Sequence, residues 1–139
     1  MTADPGIQRW IAFLRAINVG GHTLKMDLLR AMFEAQGFTD VATFIASGNV
    51  IFETPEQDAA QLEKDIEAFM RGSLGYEVET YLRSPAELAG IAQREPFPEP
   101  AVRAAHAVYV GFLQAPPGED ARQRLLALGS EINQFAVFD

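Results

Sequence analysis

From residue 8 the chain alternates as a β-strand requires. Trp10, Ala12 and Leu14 fall on one face and Ile11 and Phe13 on the other, because successive side chains point to opposite sides of a sheet. Both faces are apolar, so the strand over Gln8 to Arg15 is expected at the centre of a sheet, with helices on one side and a further subdomain or a second copy of the chain on the other. The step then changes: Met26, Leu29, Met32 and Phe33 recur at helical spacing and predict a helix from Met26 to Gln36. Gly37 suits the left-handed C′ position, with Phe38 folding back on the last turn. Lys25 and Met26 are poor N-caps, which leaves the first-turn N–H groups of this helix open.

Two short runs of β-formers, Val41 to Ala46 and Asn49 to Glu53, flank Ser47-Gly48 and read as a hairpin. Thr54-Pro55-Glu56-Gln57 predicts a helix start with Thr54 as N-cap and Pro55 at the first helical position. The helix it opens, to about Arg71, turns Ala59, Leu62, Ile66, Phe69 and Met70 inward and Asp58, Glu63, Lys64 and Glu67 to solvent. Gly72 and Gly75 end it, and Glu77 to Leu82 follows as a strand. The order strand, helix, strand, strand, helix, strand is the ferredoxin-like βαββαβ arrangement, so residues 1–83 are expected to form an antiparallel sheet with two helices on one face.

Ser84-Pro85-Ala86-Glu87 is a capping box that opens a short helix through Leu88 and Ile91. The alternating prolines of Glu95 to Pro100 favour an extended connector, which puts a boundary region near residues 94–105. A second, partial α+β subdomain over residues 84–139 is expected, with a strand over Ala107 to Leu113, a helix over Asp120 to Leu128 that turns Ala121, Leu125 and Leu128 inward, and a strand beginning at Phe135 to Phe138. An end inside a hydrophobic strand is unusual and leads us to expect a shortened chain.

Composition narrows the chemistry. The chain has 139 residues, 48% hydrophobic and 22% charged, which is ordinary globular usage. It has no cysteine, so it holds no disulfide framework or thiolate nucleophile, and nothing points to an oxidising compartment. No basic leader and no apolar run of spanning length is present, so a cytoplasmic protein without a membrane partner is expected. A net charge of -8 repels phosphate polymers and disfavours nucleic acid as a partner. The strand Asn49 to Glu53 also lacks the basic-glycine-aromatic signature of RNA-recognition sheets, which leaves RNA binding a fold analogy only.

Polar groups gather in one stretch, Leu14-Arg15-Ala16-Ile17-Asn18-Val19-Gly20-Gly21-His22. In the expected topology the first and third strands are neighbours, which brings the end of the first strand toward the Ser47-Gly48-Asn49 turn. Arg15, Asn18, Gly20, Gly21, Lys25, Ser47 and Asn49 then form a candidate site for a small anionic ligand, a phosphate or a carboxylate. Turn chemistry alone also explains most of these residues, with Arg15 paired to an acidic side chain. Catalysis has little support: His22 and His106 lack partners at metal-ligand or triad spacing, and no cofactor is expected. The alternative is an interaction or assembly protein, with homodimer formation through the second apolar sheet face of Ile11 and Phe13 together with Val108, Val110 and Phe112.

The chain resembles the bacterial family DUF1697, small two-part α+β proteins. The resemblance rests on Leu14-Arg15-Ala16-Ile17-Asn18-Val19-Gly20-Gly21, on Lys25-Met26, on Phe38-Thr39-Asp40-Val41 leading into Ser47-Gly48-Asn49-Val50, and on Ser84-Pro85-Ala86-Glu87-Leu88 with Pro96-Phe97. Ala16 stands where many members have glycine, and Glu95 where many have asparagine. The family's C-terminal segment, with its threonine-arginine-asparagine motif, is expected to be missing. The resemblance implies two related α+β subdomains and no particular activity.

Overall fold

The alternating segment becomes β1 (Gln8–Leu14), and it lies inside a sheet rather than at its margin. The computed structural model of the chain describes residues 6–18, 21, 23–45 and 48–138. In it β1 is followed by α1 (Met26–Ala35), β2 (Thr39–Phe44), β3 (Asn49–Thr54), α2 (Ala59–Leu74), β4 (Thr80–Arg83), α3 (Pro85–Ala92), α4 (Glu99–Ala104) and α5 (Glu119–Leu126). The chain divides into two units, the first reaching Ile91 and the second beginning at Ala92.

The first unit holds a four-stranded antiparallel sheet in the order β2-β3-β1-β4, and the expected α+β class is what the chain adopts. Phe13 pairs with Asn49 on one side and Tyr81 on the other, and Ile11 with Ile51 and Arg83. Alternation from this register sends Trp10, Ala12 and Leu14 of β1, Val50 and Phe52 of β3 and Leu82 of β4 into the core. Leu29, Met32 and Phe33 of α1 and Leu62, Ile66 and Met70 of α2 are buried in the same cluster. Each such side chain, fully buried, contributes about 1.5 to 3 kcal/mol. On the other face Ile11, Phe13, Ile51 and Tyr81 are half-buried.

Several local signals act as the residues suggest. Gly37 takes φ +91° after α1, and Phe38 folds back to 5.9 Å from Phe33 and 4.4 Å from Phe52, centroid to centroid. The capping box is reciprocal: the Glu87 N–H donates to Ser84 Oγ at 3.1 Å and the Ser84 N–H to Glu87 Oε1 at 2.9 Å. Among the described residues no helix is long and apolar enough to cross a membrane.

Other signals are overridden. Thr54 is not the N-cap of α2 but the last residue of β3, and Asp58 caps the helix, its side chain accepting from the Gln61 N–H at 3.2 Å. The intervening residues are held out of the helix because the Trp10 indole N–H donates to the Glu56 carbonyl at 3.2 Å, while Glu56 Oε1 accepts from the Gln57 and Asp58 N–H groups at 2.9 and 2.8 Å. Glu63, expected in solvent, is only 7% exposed and accepts from the Leu82 N–H at 2.9 Å. In the second unit α5 forms, but Ala121, Leu125 and Leu128 are exposed rather than inward. The strands expected over Ala107 to Leu113 and Phe135 to Phe138 form no ladder among the described residues. So short a unit has little surface with which to close a core of its own.

Burial pushes the Glu63 carboxyl up from its ordinary range, against the Leu82 N–H and Arg83, which pull it down, and with Glu67 and Glu87, which push the same way. The folded protein therefore keeps this proton at pH values where the unfolded chain has lost it. Glu63 makes the fold more stable as pH falls from neutral toward the ordinary carboxylate range, and this gain is complete below the unfolded value. Thermal melts of wild type and Glu63→Gln should show the variant at least as stable as wild type at pH 7, with that advantage shrinking on acidification. A constant difference across the range contradicts the assignment.

Candidate functional site

Antiparallel pairing fixes which loops share an end of the sheet. β1 is antiparallel to both β3 and β4, and β2 to β3, so the ends of β1 and β2 lie beside the starts of β3 and β4. The segment 15–25, the turn after β2 and the segment before β4 consequently gather at one end, and α1 starts there.

The first two are locked together at Gly48. Its carbonyl accepts from the Leu14 N–H at 3.0 Å. It has φ +92°, and a Cβ placed on it meets Ile17 Cγ2 at 2.6 Å and Leu14 Cβ at 3.4 Å. Ile17 is 1% exposed and belongs to the core. Only glycine fits both the backbone angle and the space. Around this contact the backbone is strained: Ala16 has φ +58° and Ile45 φ +55°, left-handed angles that cost a residue with a Cβ about 1 to 2 kcal/mol. Such outliers concentrate at functional loops.

Arg15, one residue past β1, forms an ion pair with Glu79 at 3.3 Å, both side chains being largely in solvent. Glu79 also accepts from the Tyr81 hydroxyl at 2.5 Å. The Tyr81 hydrogen bond and then Arg15 pull the Glu79 carboxyl down, whereas Glu79 pushes the Tyr81 phenol and the Arg15 guanidinium up. Asn18 points its Oδ1 to the Leu24 N–H at 2.6 Å and so closes the loop that leads into α1. Asn49 donates from Nδ2 to the Phe44 carbonyl at 3.1 Å across the hairpin. Gly21 is exposed with φ +88°. Lys25 is exposed, stands at the N-cap position of α1 and makes no side-chain cap there. Gly20, Ser47 and His22 lie outside the described residues.

The topology thus brings Arg15, Asn18, Gly21, Lys25 and Asn49 to one end of the sheet, but the two asparagines are used in holding turns. Glu79 and Tyr81 were missed in the sequence. Their signal is parity: in the strand expected over Glu77 to Leu82 both fall on the face that carries Phe13 and Arg15. Among the described residues no group of three or more histidine, aspartate or glutamate side chains could hold a metal ion. His106 is exposed in the second unit.

The first unit is thereby a small α+β sheet protein with three loops converging at one sheet end. Residues 7–139 match the family described as a protein of unknown function, DUF1697, and the chain belongs to that family. A solved structure, that of a conserved bacterial protein from Streptococcus pneumoniae, is similar with a TM-score of 0.57 and 27% identity, over 65% of this chain and 49% of that one. The chain spans about half the length of that relative. No curated protein matches it.

Two substitutions at the Gly48 contact should have opposite signs. Gly48→Ala must move Ile17 or the turn and is expected to cost about 2 to 4 kcal/mol in chemical unfolding. Ala16→Gly relieves the left-handed angle and is expected to stabilise by about 0.5 to 1 kcal/mol, after allowing for the more flexible unfolded chain. A neutral Gly48→Ala contradicts the close packing.

Proposed function

We propose that this chain is a cytoplasmic bacterial binding protein whose first unit, a ferredoxin-like βαββαβ fold, takes a small anionic ligand at the sheet end carrying Arg15, Gly21 and Lys25. The ligand class is a phosphate or a carboxylate, and the reading needs no cofactor, membrane or nucleic acid. Its bacterial setting is supported by the Streptococcus pneumoniae relative, and its cytoplasmic setting by the acidic, cysteine-free composition.

The observation that supports this reading is that Arg15, Lys25 and the start of α1, which has no side-chain cap, belong to the same end of the sheet. Backbone N–H groups at a helix start favour negative charge. Arg15 is held by Glu79 through long contacts of 3.3 and 3.4 Å in a solvent-exposed pair. Pairs of that kind contribute little stability, so Arg15 can exchange Glu79 for a ligand oxygen at small cost. Asn18 and Asn49 shape the loops around the ligand.

A second reading is favoured by one feature of the opposite sheet face. The register lines up Tyr81, Phe13, Asn49 and Phe44 in a row across four strands, with Phe44 62% exposed. Such a row suits assembly, with a second copy as partner.

Both readings are testable on the same samples. A thermal-shift titration with inorganic phosphate, nucleoside monophosphates and dicarboxylates should raise Tm by several degrees for one class, since a ligand at a hundredfold excess over Kd stabilises by about 2.7 kcal/mol. Arg15→Ala and Lys25→Ala should each weaken that shift. No response to any of these anions, with wild type and Arg15→Ala alike, overturns the ligand reading. For the second reading, light scattering should show mass rising with concentration and Phe44→Ser should suppress the rise; a strict monomer at high concentration contradicts it.

A further inference from the structure

The two outer edges of the sheet are treated differently from ordinary exposed strands. Among the described residues β4 pairs only with β1, and the alternation of an antiparallel ladder turns the N–H groups of Thr80 and Leu82 away from β1. Those outward amides are not left open. The Leu82 N–H donates to Glu63 Oε2 at 2.9 Å and the Thr80 N–H to Glu67 Oε2 at 3.2 Å.

The match is geometric. Glu63 and Glu67 are four residues apart on α2, about 6 Å along the helix, while outward amides recur every second strand residue, about 6.7 Å. A helix carrying a carboxylate one turn after another therefore meets two successive outward N–H groups of a strand running beside it. The position is enclosed: Glu63 is 7% exposed, Leu82 2% and Thr80 0%. Leucine at these positions would suit the apolar surroundings but would remove the acceptors that Glu63 and Glu67 supply to two buried amides. At the other edge β2 has a register irregularity between Thr39 and Ala42. Asp40 stands there with φ +48° and is paired with Arg9 at 2.9 Å. Irregular, charged edges resist strand addition.

We infer that Glu63 and Glu67 form a two-pronged stop that occupies the outer amides of β4 and keeps the sheet from accepting a further strand there. With the irregularity and the Asp40–Arg9 pair on β2, each edge of the sheet carries a feature that resists strand addition. Partners then meet this unit at its loop end or its open face, and not by extending the sheet.

The test compares two double variants of the full chain by residue-resolved amide exchange and light scattering. Glu63→Gln with Glu67→Gln keeps an acceptor oxygen at each place. Slow exchange at Thr80 and Leu82 and an unchanged mass are expected. Glu63→Leu with Glu67→Leu removes both acceptors. In dilute solution exchange at Thr80 and Leu82 should rise by about tenfold or more relative to Tyr81 and Arg83, whose N–H groups face β1, and mass should grow with concentration. Unchanged protection or unchanged mass in the leucine pair overturns the inference. Should the leucine pair fail to fold, the glutamine pair decides alone: protected amides at Thr80 and Leu82 uphold the stop, and loop-like exchange at both overturns it.

Discussion

The close approach of Gly48 to Leu14 and Ile17 is the constraint on which the first unit depends. β1 is the inner strand that joins the β2–β3 hairpin to β4, and its far end must turn toward α1 without leaving the core. That turn is possible because Ile17 packs against Gly48, which has no side chain, while the Leu14 N–H finds the Gly48 carbonyl at 3.0 Å. The left-handed angles at Ala16 and Ile45 lie on either side of this contact. Backbone strain is tolerated where the surrounding packing over-determines it, and here the packing is the buried Ile17 side chain. Antiparallel pairing brings three loops to this sheet end, and the lock fixes two of them to each other.

The chemistry at that end separates into two layers. Asn18 and Asn49 act on their own backbone, one closing the loop before α1 and the other the hairpin. Arg15, Glu79 and Tyr81 form an exposed hydrogen-bonded row whose members hold one another's protonation state, Glu79 as carboxylate and Tyr81 as phenol. Lys25 and the start of α1 complete the positive side. The anion proposed for this end would add to the second layer and leave the first in place.

Much of the fold was legible because it depends on neighbours in sequence. The alternation of Trp10 to Leu14, the helical spacing of Met26 to Phe33, the Gly37 stop and the Ser84/Glu87 box are all local signals, and each forms as its residue types dictate. The misreadings have tertiary causes. Thr54 has the right residues after it for an N-cap, but the Trp10 indole bond to Glu56 holds that segment out of the helix and passes the role to Asp58. Glu63 reads as a solvated helix position, because periodicity sees charge and does not see the Leu82 amide of β4 that the carboxylate receives. In the site, Arg15 could be picked out, whereas its partner Glu79 lies 64 residues away. The stretch from Ala107 to Leu113 has strand-forming residues, yet a strand needs ladder pairing as well as propensity, and the stretch is not assigned as a strand.

The most direct test of the account is residue-resolved NMR of the wild-type chain at the Gly48 contact. The account requires a slowly exchanging Leu14 amide and a strong nuclear Overhauser effect between the Ile17 γ2 methyl and the Gly48 α-protons. A Leu14 amide exchanging as fast as those of exposed loops, with no Overhauser effect between Ile17 and Gly48, would show that the end of β1 is not locked to the hairpin, and the close packing at Gly48 would have to be abandoned.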